Sequence, residues 1–120
     1  MRLLLFSFFI VSLQKVPLEY QKEGYASYYA NKFEGRRTAS GEIYRSSLFT
    51  AAHKKLPFGT FVKVVNLKND STVVVKINDR LGKSSPHLID LSLIAAKKLN
   101  FIKSGKTKVS LEIQSNDSLQ

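Results

Sequence analysis

The chain contains no cysteine, and that absence removes several kinds of chemistry at once. Thiol nucleophiles, thiolate metal sites and lipid attachment through an N-terminal cysteine are excluded, and no disulfide can brace the fold. Histidine is nearly as scarce, with only His53 and His87, and the acidic residues number 9 against 19 Lys plus Arg. The two histidines lack an H-x-x-x-H or similar spacing, so no metal is expected, and no motif calls for another cofactor. The few carboxylates and imidazoles present are therefore the first places to look for chemistry.

What the chain does have is positive charge, a formal net +10 over 120 residues. That length fits one domain, at about 100 to 200 residues per domain. A basic balance favours polyanionic partners. The lysines are scattered and are not interleaved with aromatics on a recognisable module, so nucleic acid is not the expected partner. A cell-wall polymer or an anionic membrane surface fits better, and a solvated basic surface with no dedicated ligand is the alternative. Residues Leu3 to Leu13, LLLFSFFIVSL, form an apolar run of about eleven residues behind Arg2, the pattern of a secretory leader. A membrane span needs about 20 such residues, so no stable span is expected. The run reads as a cleaved signal or a retained anchor, since no small-x-small cleavage pattern follows it. The expectation is export to the periplasm or cell envelope without lipidation through cysteine.

Pattern divides the rest. Residues 1–23 read as leader and polar linker, 24–114 as the folded domain and 115–120 as a polar tail. Gly24 to Ala30 alternates as a strand carrying Tyr25, Tyr28 and Tyr29. Asn31 to Ser47 has no sustained apolar period and reads as a long loop, of the kind that is usually functional. Leu48 to His53 reads as a short strand, and Pro57 and Gly59 punctuate a turn. Thr60 to Leu67 and Ser71 to Asn78 are rich in Val, Ile and Thr around Lys68-Asn69-Asp70, a hairpin signature. Ser92 can cap a helix carrying Leu93, Ala96 and Leu99 on one face, with Lys97 and Lys98 at its C-terminal dipole and Asn100 closing it. Thr107 to Ile113 alternates cleanly as a strand. Five or six strands and one short helix point to a small closed barrel, because closure removes vulnerable edges.

The series Gly24-Tyr-Ala-Ser-Tyr-Tyr29, Thr38-Ala-Ser-Gly-Glu42, Thr50-Ala-Ala-His53, Leu56-Pro-Phe-Gly-Thr60, Val64-Val-Asn-Leu67, Ile77-Asn-Asp-Arg80 and Ile89-Asp-Leu-Ser92 resembles the RlpA family, in order and over nearly the whole chain after the leader. The resemblance implies a mainly β, six-stranded double-psi β-barrel with one short helix. It also implies an envelope location and lytic transglycosylase activity on peptidoglycan glycan strands, with more distant kinship to expansins and family 45 glycosidases. Asp79 matches the family's catalytic aspartate, His53 its essential histidine and Glu42 a third polar residue of the same groove. Asp90 matches a position where the expansin and glycosidase relatives carry an important aspartate, and it is the rival acid. Two departures stand out. The chain lacks the lipid-bearing cysteine of the family's name, and Leu81 to Pro86 replaces the commoner Gly-Pro opening after the catalytic aspartate. No segment after the barrel matches a SPOR domain, so septal targeting is not expected.

Chemistry gives separate reasons for these residue types. Glycosidic cleavage needs a proton donor at the leaving oxygen while the anomeric carbon acquires oxocarbenium character. In a lytic transglycosylase the C6 hydroxyl of the same N-acetylmuramic acid closes onto C1, so one carboxyl group can serve as acid and then base. Asp79 is expected in that role, with His53 bonded to the carboxyl or to substrate. Tyr28 is expected to stack on sugar, and Arg80 to touch substrate without taking part in the chemistry. The competing reading makes each an ordinary structural residue: Asp79 and Asp90 as caps, Glu42 as a loop residue. His87 reads as a loop residue, and oligomeric state is left open. A non-catalytic, expansin-like glycan-binding module is the alternative function.

Overall fold

A computed structural model of the chain describes residues 21–114. The leader and most of the linker, at 1–20, and the tail at 115–120 lie outside the described residues. Six strands, β1 (Gln21–Tyr28), β2 (Thr50–His53), β3 (Phe61–Asn66), β4 (Thr72–Arg80), β5 (Ile89–Leu91) and β6 (Thr107–Ile113), close into a barrel in the order β1-β5-β2-β4-β3-β6. Among the described residues, one helix, α1 (Leu93–Lys98), and one 3₁₀ turn at Asn31–Phe33 complete the regular structure. The β1/β5 and β2/β4 pairings are parallel and the other four antiparallel. A parallel neighbour cannot be joined by a hairpin, so long connections cross the barrel ends.

Alternation fills the barrel. Val62 and Val64 of β3, Val73, Val75 and Ile77 of β4, and Val109 and Leu111 of β6 point inward and join Ala26, Ala51, Ile89 and Leu91 in one core. The β3/β4 hairpin turns through Asp70 at φ 63°, a left-handed conformation that Asp tolerates better than most residues. Helix α1 plugs one flank with Ala95, Ala96 and Leu99, all fully buried. The expected caps are present: the Ser92 side chain accepts from the Ala95 amide at 3.4 Å, and Asn100 closes the helix at φ 62°.

Three boundaries differ from the sequence pattern. β1 begins at Gln21, inside the expected linker, because Gln21, Lys22 and Glu23 pair with Glu112, Leu111 and Ser110 of β6. β4 runs on through Asp79 and Arg80, because parallel pairing with Ala52 and His53 holds these polar residues extended. β5 is three residues long, too short to display a period, and only its pairing with β1 and β2 makes it a strand.

Candidate active site

Pairing brings the scarce acids together. A register shift at Ala51/Ala52 sets Ala52 opposite Asp79, and His53 opposite Arg80. On its other side Ala52 faces Asp90 of β5, and Asp90 faces Ser27 of β1. Ser27, Asp90, Ala52 and Asp79 thus form one row across four strands. Directly opposed residues share a sheet face. With strands about 4.8 Å apart, the Cα atoms of Asp79 and Asp90 are roughly 10 Å apart, with the small Ala52 as the floor between them.

Three donors hold the Asp79 carboxylate. Oδ1 accepts from the amides of Ala39 at 2.8 Å and Arg80 at 2.9 Å, and Oδ2 accepts from the Tyr29 hydroxyl at 2.6 Å. Tyr29 is fixed in turn by stacking on Tyr44, with ring centroids 4.2 Å apart, and by an edge contact with Phe33. Burial raises the Tyr29 phenol above its ordinary range, and the hydrogen bond to Asp79 and the charges of Asp79 and Asp90 raise it further. It therefore stays a protonated donor at any physiological pH.

Glu42 stands at the rim on the loop that supplies Ala39. Arg37 pairs with Ile43 across this loop, and Gly41 turns it at φ 96°, which strains residues bearing a Cβ. The Glu42 carboxylate accepts from Lys76 Nζ at 2.9 Å and Asn78 Nδ2 at 3.1 Å, and these bonds, with the Lys76 charge, hold it below the usual carboxylate range.

His53 is 4% exposed. Its Nδ1 accepts from the amides of Lys55 at 3.0 Å and Leu56 at 3.1 Å, which assigns the ring proton to Nε2. Burial pushes its pKa down to about 4, and the positive charges of Arg80, Lys22 and Lys54 push the same way. The ring is thus a neutral Nε2–H donor at neutral pH. Of the two partners expected for His53, the Asp79 carboxyl and substrate, the first is not taken: that carboxylate accepts from Tyr29, Ala39 and Arg80.

The remaining expected residues take other positions. The Tyr28 hydroxyl donates to the Ile102 carbonyl at 2.8 Å and its ring meets Phe101 edge-on, so it packs against the core instead of standing on the Asp79 groove. The Arg80 guanidinium makes no bond to the Asp79 carboxylate; its Nη1 donates to the backbone carbonyls of His53 and Asp79, each at 3.4 Å, and it lies over the exposed Phe58 ring, 4.2 Å from the centroid. Asp90 Oδ1 accepts from Ser27 Oγ; Ser27 Oγ lies 2.9 Å from His87 Nδ1, and that nitrogen is 3.6 Å from Asp90 Oδ1. A groove of about 540 Å³ opens beside this cluster, lined by Lys22, Tyr25, His53, Lys54, Lys55 and His87 among others. Sequence reasoning passed over Tyr29, Ser27 and His87. The first two lie inside the quoted Gly24–Tyr29 motif, but nothing local distinguishes Tyr29 from Tyr28. His87 carries no motif, and the fold alone brings it to Ser27, 60 residues away.

A sequence profile of the family described as Lytic transglycolase matches residues 21–111. The endolytic peptidoglycan transglycosylase RlpA of Haemophilus influenzae is 53% identical over 93 residues, covering 78% of this chain and 32% of that protein. The chain thus spans about a third of the length of the curated relatives it matches. Among solved structures, the Streptomyces papain inhibitor superposes with a TM-score of 0.67 at 22% identity, covering 84% of this chain and 100% of that one. An expansin of Clavibacter michiganensis superposes at 0.63 and 20%, covering 81% and 52%. At those identities the likeness is one of fold. The profile match runs from the first strand into the last, and the chain belongs to the lytic transglycolase family of RlpA-like double-psi β-barrels.

Proposed function

We propose that this chain is the glycan-cleaving domain of an endolytic peptidoglycan lytic transglycosylase acting outside the cytoplasmic membrane, in the cell envelope. Among the described residues no helix is long and apolar enough to cross a membrane. The observation that carries the reading is the row of Asp79, Ala52 and Asp90, which sets two carboxylates on either side of a floor small enough for a sugar ring. Asp79 is the acid and base. Its Oδ1 is anchored by two backbone amides, and among the described residues its Oδ2 accepts only from the Tyr29 hydroxyl. Oδ2 gives a proton to the leaving oxygen as the C1–O bond breaks, then takes the proton of the C6 hydroxyl as that oxygen closes on C1. The product is a 1,6-anhydro-N-acetylmuramic acid end. Asp90, facing C1 from the other side, offsets the oxocarbenium charge. His53, neutral at neutral pH, is the family-matched histidine beside the row, and Glu42 fixes the rim loop through Lys76 and Asn78.

The likeness in fold to an expansin, together with the occupancy of both Asp79 oxygens by the protein's own donors, favours one other reading, a glycan-binding module that does not cut. Purified sacculi incubated with the protein and analysed by mass spectrometry for 1,6-anhydromuramyl ends decide between them. Asp79→Asn is expected to lower anhydro-end release a hundredfold or more, on the order of what a general acid supplies, with an unchanged circular dichroism spectrum. Wild-type protein that pellets with sacculi and releases no anhydro ends establishes the binding module instead. Loss of activity in Asp90→Asn with full activity in Asp79→Asn moves the acid to Asp90.

A further inference from the structure

The reaction uses the charge of Asp90 and gives no part to its neighbours Ser27 and His87, whose contacts are directional. A serine hydroxyl has one proton to donate. Ser27 gives it to Asp90 Oδ1, so the 2.9 Å contact with His87 Nδ1 must be a donation from the ring to Ser27 Oγ. His87 therefore carries its proton on Nδ1, and its Nε2 is a lone pair on a side chain that lines the groove. Among the described residues nothing donates to Asp90 Oδ2, which leaves that oxygen for the glycan side of the row.

We infer that His87 and Ser27 are positioning residues that form a proton relay, through which Asp90 exchanges its proton with the basic groove instead of across the substrate. In the uptake direction His87 Nε2 binds a proton from groove water, Nδ1 passes its proton to Ser27 Oγ, and Ser27 passes its own to Asp90 Oδ1. The groove loses one proton, Asp90 gains one, and the imidazole ends as the Nε2–H tautomer with no ring rotation. Running in reverse, the relay returns Asp90 to its charged form. This inference rests on the reading of Asp90 as the carboxylate that faces the sugar opposite Asp79. It gives that carboxylate a solvent route that stays open while glycan covers Ala52. The groups facing Asp90 are Ser27 of β1, Tyr29 just after it, His87 of the preceding loop and, across Ala52, Asp79 of β4. Those sharing the groove with His87 are Lys22, Glu23 and Tyr25 of β1, and His53, Lys54 and Lys55 at and after the end of β2.

The test uses the full chain and two readouts. Nitrogen-15 spectra that report the protonated ring nitrogen are expected to give the Nδ1–H tautomer for His87 above its titration, reverting to the Nε2–H form in Ser27→Ala and in Asp90→Asn. Finding Nε2–H in the wild-type protein overturns the relay, whether or not the domain cleaves glycan. In the anhydro-end assay, His87→Asn keeps a donor where Nδ1 stood but cannot pass a proton. It is expected to lose one limb of the wild-type pH–rate profile at unchanged KM for sacculi. Ser27→Ala lowers kcat roughly tenfold, less than the hundredfold or more of a group that transfers the proton itself. A His87→Asn profile that superimposes on wild type overturns the relay. Absence of anhydro ends in wild type defeats the cleavage reading alone, and the tautomer then decides the relay by itself.

Discussion

His53 illustrates how one residue's surroundings set its behaviour. Its ring is buried, and the amides of Lys55 and Leu56 occupy Nδ1. Its pKa in the folded chain, about 4, lies below the 6.5 of the free side chain. The unfolded chain therefore binds a proton between those values that the folded chain refuses. Stability from the neutral ring is complete above pH 6.5 and is lost as pH falls from 6.5 toward 4. The shift corresponds to about 3 kcal/mol. Urea unfolding at pH 7 and pH 4.5 is expected to give a difference between wild type and His53→Asn that narrows at the lower pH. A constant difference across that range would mean that burial does not hold the imidazole neutral. Asp79 makes the complementary case, since what surrounds its carboxylate is a tyrosine and two amides, with His53 facing Arg80.

At the scale of elements, the parallel seam between β1 and β5 is the least expected and the most consequential, because it aligns Ser27 with Asp90 and so completes the row. The seam depends on close approach at Gly24, where an added Cβ would come within 2.9 Å of the Leu88 Cβ. That is a clash with the root of a side chain, which rotation cannot relieve. Gly24→Ala is expected to cost about 1–3 kcal/mol, the usual cost of overpacking, and Leu88→Gly in the same chain, which removes the opposing Cβ, is expected to recover part of it. Additive losses in the double variant, read from denaturant midpoints, would show that the two residues do not meet. Helix α1, by contrast, is held by what its own sequence supplies: Ser92 at its start, alanines on its buried face and Asn100 at its end.

For the whole molecule, the barrel buries an apolar core that contains no charged side chain, and the formal +10 of the chain acts on any partner from a distance. Association with an anionic wall polymer is then expected to weaken several-fold between roughly 0.05 and 0.5 M salt, as the screening length falls below about 10 Å. Cosedimentation with sacculi measures this. Salt-independent pelleting would assign the affinity to groove contacts instead of the overall field. Turnover on bound glycan is expected to be less sensitive than binding, because the Asp79 and Asp90 row is framed by backbone and tyrosine donors at contact distance.

Much was determined by the sequence alone. The hairpin of β3 and β4, the alternation of β6 and the capped helix follow from local periodicity and turn chemistry, which need only near neighbours, and the motif series identified the barrel. Asp79, His53, Glu42 and Asp90 were singled out as candidates by residue type in motif context. Their partners were not. Register across β5, β2 and β4 decided that Ala52 separates the two aspartates and that His53 faces Arg80, and a one-residue shift in pairing cannot be read from either strand by itself. Tyr29 was chosen over Tyr28 by which face of the chain turned toward Asp79 as β1 ended, and His87 was placed on Ser27 by closure of the barrel. Local sequence encodes which elements form. Long-range pairing encodes which side chains meet, because a hydrogen bond between residues 50 or 60 positions apart exists only after the sheet has closed.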